Sequence, residues 1–377
     1  MKLERKETVM EEPIRVLHVL GGVSLGGAES RIMDLYRCID REKIQFDFLV
    51  HQSGQGYYEE EIKMLGGRLY RIPRFRLYNI FAYRKALREF FAKHHEFRVV
   101  HGHMTSTAAI YLPIAKKYGI PMTIAHARSA GVDKGPKGVL TRLLRMPLPR
   151  KCDRMFACSG LAGESVFGQK IVSAGKVQII PNAIDARAFC YREETRNEMR
   201  RMLSLENKFV VGHVGRFHYA KNHEYLLEVF AEIAKRQDNA VLLLLGEGER
   251  MAEMKRRAET LGIADKTIFA GNQKETWKYY QAMDFFVFPS RFEGLPGTVI
   301  EAQSAGLRCL ISDTIAEETV ITELAVCKSI AESPDKWAEY VLANREYERT
   351  DRHEQVAAAG FDVHKQAKWY EQFYLNA

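Results

Sequence analysis

Residues 288–303 read Phe-Pro-Ser-Arg-Phe-Glu-Gly-Leu-Pro-Gly-Thr-Val-Ile-Glu-Ala-Gln. The apolar run 285–288 before them predicts a strand stopped at Pro289. A turn rich in glycine and proline follows, and a helix is predicted from about Thr298. A helix N-terminus carries unpaired N–H groups and the positive end of the dipole, which suit a phosphate. Glu293 and Glu301 stand on either side of the turn with seven residues between them. Carboxylates accept hydrogen bonds from sugar hydroxyls, so the stretch offers a place for phosphate and polyol together, the two parts of a nucleotide sugar. Thr298-Val-Ile-Glu301 also fits a capping box, in which Glu301 only satisfies a backbone donor. In that reading Glu293 is an ordinary loop residue.

A chain of 377 residues accommodates two domains, each with its own core. At 46% hydrophobic and 28% charged residues it has the composition of a soluble globular protein. No apolar run approaches the roughly 20 residues of a membrane span. Residues 1–12 are charged and lack an apolar core, so they do not read as a secretory signal; residues 1–13 are expected to form a disordered tail. Six cysteines are scattered without a C-x-x-C pair, which argues against a zinc site and a disulfide framework and for a reducing cytoplasm.

The formal net charge is +8, and its distribution says more than its size. Residues 62–88 hold eight Lys/Arg and no acid, and residues 134–151 hold six and no acid. Leu140, Leu143, Leu144, Met146 and Leu148 lie among the second set. Basic and apolar residues together suit an anionic membrane surface; the plainer reading is a solvated basic face. Nucleic acid is not an expected partner, since no aromatic-interleaved or zinc-binding motif is present.

Along the chain, apolar runs predict strands at 14–20, 46–50, 99–101, 122–125, 155–158 and 177–180, with helical stretches between. After a charged segment, 191–207, a second series follows at 209–214, 240–245, 268–270, 285–288 and 309–311. Strands alternating with helices predict parallel, doubly wound sheets. The fold class is α/β, with two Rossmann-like halves joined near 186–206. Open α/β sheets bind ligands at the carboxyl ends of their strands.

Glu293 and Glu301 form an E-x7-E element. Around it stand Ala282-Met-Asp284, Pro289-Ser290, Glu293-Gly-Leu-Pro296, Glu301-Ala-Gln303, Ala305-Gly306 and Ser312-Asp313. On these residues the chain resembles the retaining GT-B glycosyltransferases of family 4, which build bacterial capsular and exopolysaccharides. The likeness runs from about Ile14 to the C-terminal helix. It implies a GT-B fold with the ligand between two halves: an acceptor-binding domain at 14–190, a nucleotide-sugar domain at 207–345, and a C-terminal helix, 362–377, crossing back to the first.

The resemblance also assigns site residues. Val214-Gly-Arg-Phe-His-Tyr-Ala-Lys-Asn222 matches the donor-phosphate motif, with Arg216 and Lys221 expected to neutralise the charge that develops on a departing diphosphate. Arg216 supplies a planar fork and Lys221 a point charge. Glu293 is expected to hold donor-sugar hydroxyls and Glu301 the ribose, with Gly294, Leu295, Thr298 and Val299 around them. Gly26 and Gly27, in the glycine loop after the first strand, allow close backbone approach to the donor; the loop is not G-x-G-x-x-G, so a dinucleotide fingerprint is absent. Gly246 and Gly248 match a turn lining the nucleotide pocket, although a sharp strand-to-helix turn explains them equally. His126 matches a histidine beside the transferred sugar. Apart from the resemblance, Arg128 is expected to face an anionic acceptor, and His101 and His103 read as structural or acceptor-facing. Asn182 reads as an Asx-turn residue. His101 and His103 make a poor metal pair without an acid or Cys; no metal site, no cofactor and metal-independent chemistry are expected. Gly297, where the family has a larger apolar residue, is expected to loosen the helix start, and Arg308 stands where proline is common.

The expected function is transfer of a sugar from a nucleoside-diphosphate donor, a UDP-sugar, to a lipid-linked or oligosaccharide acceptor in surface polysaccharide synthesis. Retention of configuration follows from the family. The expected location is cytoplasmic, peripheral at the inner face of the membrane. The alternatives are a GT-B epimerase or phosphorylase, an NAD-dependent oxidoreductase, and a non-catalytic binding protein.

Overall fold

The computed structural model describes residues 12–128 and 135–377. Residues 1–11 of the expected tail and Lys134 of the second basic run lie outside the described residues. The first sheet contains β1 (Ile14–Leu20), β2 (Ile44–Val50), β3 (Leu69–Arg71), β4 (Phe97–Gly102), β5 (Met122–Ala127), β6 (Arg154–Ala157) and β7 (Gln178–Ile179). The second contains β8 (Phe209–Val214), β9 (Ala240–Leu245), β10 (Thr267–Gly271), β11 (Phe285–Phe288), β12 (Arg308–Ser312) and β13 (Ala325–Lys328). The strand orders are β3-β2-β1-β4-β5-β6-β7 and β10-β9-β8-β11-β12-β13. Both follow the doubly wound order in which the chain winds outward from a central strand, returns, and winds the other way. The α/β expectation of two Rossmann-like parallel sheets therefore holds. Every position of β8 and β9 is buried, as strands covered on both faces require.

Two strands were not legible beforehand. β3 and β13 stand at the ends of their sheets, with three and four residues respectively. Their partly exposed residues give no apolar run to detect.

The chain forms two compact units. The first holds described residues up to His126, then 135–156 and His364–Ala377; the second holds Ala127, Arg128 and Ala157–Val363. The C-terminal helix, Val363–Leu375, belongs almost entirely to the first, as expected. There the Tyr374 hydroxyl lies 2.7 Å from His101 Nδ1, and Glu371 accepts from the Asp40 N–H at 2.7 Å. The rings of Trp369 and Phe373 pack on Phe156.

The second unit is larger than the expected 207–345. Residues 157–206 group with it because their polar groups end on its elements. Ser304 Oγ donates to the Ala186 carbonyl at 2.7 Å, and the Arg192 N–H donates to Gln281 Oε1 at 3.0 Å. The charged segment 191–207 contains a helix, Glu193–Met202, whose Arg196 and Arg200 both reach Asp284. Past 345, the Arg349 guanidinium donates to the carbonyls of Tyr280, Gln281, Met283 and Ala305, closing the edge of the same unit. Among the described residues no helix is long and apolar enough to cross a membrane.

Asp284 is the polar knot of this packing. It stands just before β11, accepts from both arginines, and takes the Val210 N–H at the start of β8 at 2.8 Å. Replacing it strands two cations. Asp284→Asn is expected to lower unfolding free energy by roughly 3 kcal/mol, read from urea denaturation; an unchanged midpoint would remove the knot from the account.

His213 lies inside β8, fully buried, with Nδ1 2.9 Å from the Val287 carbonyl of β11. Burial pushes its pKa down to about 3, so the ring is neutral. A carbonyl only accepts, so Nδ1 carries the proton and Nε2 is left as an acceptor. In the unfolded chain this ring protonates near 6.5. Between about pH 6.5 and 3 the unfolded form therefore binds more protons, and stability falls as pH drops through that window. His213→Gln is expected to flatten the loss between pH 7 and pH 4 in urea titrations; identical slopes for variant and parent would contradict a buried neutral ring.

Candidate functional site

In a doubly wound sheet, ligands bind beyond the strand ends where the winding reverses. In the second unit that point lies between β8 and β11. The loop after β8 runs from Gly215 through a short 3-10 turn, Tyr219–Lys221, to Asn222, whose φ of 55° is left-handed. Asparagine tolerates that conformation better than most residues, and it lets the helix His223–Ala234 start at once. The loop after β11 begins at Pro289. Arg291 straps the two loops together. Its N–H donates to the Ala220 carbonyl at 2.7 Å, and its guanidinium donates to the Tyr219 carbonyl and Glu224 and stacks 4.3 Å from the Tyr219 ring centroid.

Strapped in this way, the loops bring Lys221 and Glu293 together, with Nζ 2.6 Å from Oε1 and each side chain under one-fifth exposed. Lys221 Nζ also sits 4.6 Å from the centroid of Phe288. The ammonium thus has a carboxylate on one side and an aromatic face on another. Below it His213 is neutral, and His223 is held neutral by burial first and by neighbouring cations, Lys221 among them.

Arg216 is not brought to that point. Its side chain is 69% exposed and pairs with Glu249 at 3.2 Å. The expectation that both cations converge does not hold in this structure: the long Arg216 side chain takes the nearest carboxylate, in a solvated pair that contributes little.

The helix after the turn is Gly297–Ser304, with Pro296 as its N-cap residue and no side-chain cap. It starts at Gly297. Thr298 lies inside it, so the capping-box reading of Thr298 and Glu301 is not met. Glu301, 5% exposed, instead receives the Tyr280 hydroxyl at 2.8 Å. Thr298 Oγ1 is buried, and so is Ser290 Oγ; among the described residues neither has a hydrogen-bond partner. Native proteins seldom leave buried hydroxyls unsatisfied, and here they accompany a helix N-terminus. In the sequence Ser290 is visible only as part of the Pro289-Ser290 motif, and Arg291 carries no signal of its own. The unsatisfied hydroxyl and the loop strap are visible only in three dimensions.

Gly246 and Gly248 have a structural reason for being glycine. A Cβ on Gly246, at φ 125°, would lie 2.3 Å from the Gly215 carbonyl oxygen, and one on Gly248 would lie 2.4 Å from that of Phe217. The turn after β9 presses directly on the loop that carries Arg216. Arg308, in the usual proline position, donates to the Asn344 carbonyl and stacks on Tyr347.

In the first unit, Gly26 caps the helix Gly27–Cys38 without a side-chain bond, and a Cβ on Gly27 would meet nothing within 4 Å. His126 is fully buried, with Nδ1 2.9 Å from His101 Nε2, and His103 is 9% exposed, with Nε2 3.0 Å from His18 Nδ1. His18, His101 and His103 place ring nitrogens within 4.8 Å of one another, the separation a metal would need. Those rings already hydrogen-bond one another, His126 and Tyr374, so an ion would have to displace existing bonds. In the second unit, Arg128 donates to Asn182 Oδ1 at 2.8 Å, and Asn182 Nδ2 donates to the Leu295 carbonyl at 3.4 Å. Asn182 therefore reaches across to the Glu293 loop instead of closing an Asx-turn.

Two family models cover most of the chain: "Glycosyltransferase Family 4" matches residues 25–188, and "Glycosyl transferases group 1" matches residues 195–357. The putative glycosyltransferase EpsF of Bacillus subtilis is 31% identical over 361 residues, 93% of each chain. The UDP-Gal:alpha-D-GlcNAc-diphosphoundecaprenol alpha-1,3-galactosyltransferase of Escherichia coli is 24% identical over 313 residues, 80% of this chain and 79% of its own. Among solved structures, Anabaena HepE in complex with UDP-glucose superposes with a TM-score of 0.72 at 16% identity, over 96% of this chain and 98% of that one, a likeness of fold. With 31% identity to EpsF sustained along 93% of its length, and both family models matched in order, the chain belongs to the family 4, group 1 glycosyltransferases.

Proposed function

We propose that this protein transfers a sugar, with retention, from a UDP-sugar to a lipid-linked or oligosaccharide acceptor in bacterial surface polysaccharide synthesis. The observation that carries this reading is the Lys221–Glu293 pair at the strand-order reversal of the second sheet, beside a helix N-terminus with an unsatisfied Thr298 hydroxyl. A cation for phosphate and a carboxylate for hydroxyls stand within one sugar-phosphate's reach. EpsF supports the glycosyl transfer, and the name of the Escherichia coli galactosyltransferase gives a UDP-Gal donor and a lipid diphosphate acceptor.

In this reading Lys221 neutralises the β-phosphate, and Arg216 joins it by leaving its solvated pair with Glu249. Glu293 holds donor-sugar hydroxyls, Glu301 the ribose, and Thr298 with the amides around Gly294, Leu295 and Val299 receives the diphosphate. Gly26 and Gly27 give the backbone access to the donor, and Gly246 and Gly248 shape the nucleotide pocket. The bond from the anomeric carbon to phosphate breaks as the acceptor oxygen bonds to that carbon. The acceptor proton passes to the departing phosphate oxygen on the same face. Positive charge fixed at that oxygen lowers the barrier, and no metal is required. The family motif assigns His126 to the transferred sugar, and in this reading His103 and Arg128 serve the acceptor.

We place the protein in the cytoplasm, against the inner face of the membrane. Leu77, Tyr78 and Phe81 are 60%, 81% and 86% exposed at the start of the helix Ile80–Lys93, and Arg74, Arg76, Arg84, Lys85 and Arg88 are exposed around them. Solvent alone gives no reason to expose three large apolar side chains within one basic run of the chain. The second basic run adds Leu143 and Met146, both exposed, while Leu148 is buried in the core.

Lys221→Ala is expected to reduce UDP release from a UDP-sugar, in the presence of acceptor, by about 10² to 10³, with EDTA leaving the parent rate unchanged. Release of UDP without acceptor, or interconversion of donor sugars, would overturn transfer in favour of hydrolysis or epimerisation. Tyr78→Ser with Phe81→Ser is expected to weaken sedimentation with phosphatidylserine vesicles at least about tenfold, the apolar contribution of two buried rings, while UDP affinity stays unchanged; equal sedimentation would remove this surface from membrane contact.

A further inference from the structure

The loop 293–296 makes its hydrogen bonds to side chains from distant parts of the same unit. Ser159 is fully buried and caps the helix Gly160–Phe167, its Oγ accepting the Ala162 N–H at 3.2 Å. A hydroxyl has one proton. With a lone pair given to Ala162, Ser159 directs that proton to the Gly294 carbonyl, 3.3 Å away. Asn182, 6% exposed, is fixed by a similar restriction. A guanidinium only donates, so Arg128 forces the oxygen of the Asn182 amide to face it, and the NH2 group must face the Leu295 carbonyl.

Two successive carbonyls are thereby each held by a donor. No peptide bond among the described residues is cis, and in a trans peptide the N–H points opposite to the C=O. With the Gly294 oxygen toward Ser159, the Leu295 N–H faces the other side. Leu295 is 4% exposed, and among the described residues its N–H has no backbone acceptor. The next peptide has no N–H to offer, because residue 296 is proline. Holding its carbonyl fixes ψ of Leu295, and proline fixes its own φ, so the direction of the helix that carries Thr298 is set at this point.

We infer that Ser159 and Asn182, the latter oriented by Arg128, are positioning residues. They hold the 293–296 loop so that the Leu295 N–H and the Thr298 hydroxyl are presented to the diphosphate of the donor. The inference rests on the donor-site reading given above. It adds three residues outside the loop, one of them from a segment the sequence reading had closed on itself as a turn.

The test exploits the one-way donor logic. Asn182→Asp keeps an oxygen for Arg128, now as an ion pair, but places a second oxygen against the Leu295 carbonyl, where a donor is needed. The variant is expected to melt near the parent temperature yet bind UDP at least about tenfold more weakly, the loss of one charge-assisted hydrogen bond. Its affinity for uridine, which has no phosphate, stays unchanged. Ser159→Ala is expected to weaken UDP in the same selective way, and Ser159→Thr, which keeps the hydroxyl, to restore it. Calorimetric titration of UDP and uridine reads all of these, with Lys221→Ala as the reference. If Lys221→Ala weakens UDP while Asn182→Asp and Ser159→Ala bind it as the parent does, the positioning role is refuted and the donor site stands. If Lys221→Ala leaves UDP binding unchanged, the donor site falls and the inference with it. Should Asn182→Asp fail to fold, the Ser159→Ala and Ser159→Thr pair decides alone, since equal UDP affinity in both would overturn it.

Discussion

The second unit is organised by the reversal of strand order between β8 and β11. Parallel neighbours end on the same edge of the sheet, and reversal sends their connections to opposite sides. The two loops therefore diverge at that edge. The cation and the carboxylate that carry the donor proposal lie on them. Lys221 is on one and Glu293 on the other, and Arg291 closes the distance by stacking on Tyr219 and bonding its carbonyl. The glycines after β9 serve the same end, since a methyl group at Gly246 or Gly248 would push the Lys221 loop out of place.

Charge is arranged as economically as backbone. Lys221 is surrounded by groups that tolerate a cation: a carboxylate, an aromatic face, and two imidazoles that burial keeps neutral. A protonated His213 would put a second cation beneath the first. Its bond to the Val287 carbonyl favours protonation, yet desolvation dominates and the ring stays uncharged. The first unit handles its buried imidazoles differently. His18 pairs with His103, and His101 pairs with His126 and Tyr374, so the C-terminal helix is tied to β4 and, through His101, to β5 by ring nitrogens.

The stretch from Ala157 to residue 206 shows how a boundary is decided. Its strands and charged helix suggested a joint near 186–206. Asp284, Ser304 and Gln281 capture its arginines and backbone, and Ser159 and Asn182 reach the Glu293 loop. Buried charge and buried carbonyls are costly to leave unpaired, so the segment goes where its partners are.

The sequence by itself determined the strands with long apolar runs, the two-fold repetition of a doubly wound sheet, and the family, through Glu293, Glu301, Arg216 and Lys221 in their spacing. These are local properties, written in runs and intervals of one chain. The tertiary structure alone decided which of those groups meet. It joined Lys221 to Glu293 and left Arg216 with Glu249, gave Glu301 to Tyr280 instead of a helix cap, sank His126 among other imidazoles, and turned Asn182 from its own turn toward Leu295. The physical reason is that a hydrogen bond or ion pair depends on distances of about 3 Å, and those are set by which loops the sheet order brings side by side, not by their separation along the chain.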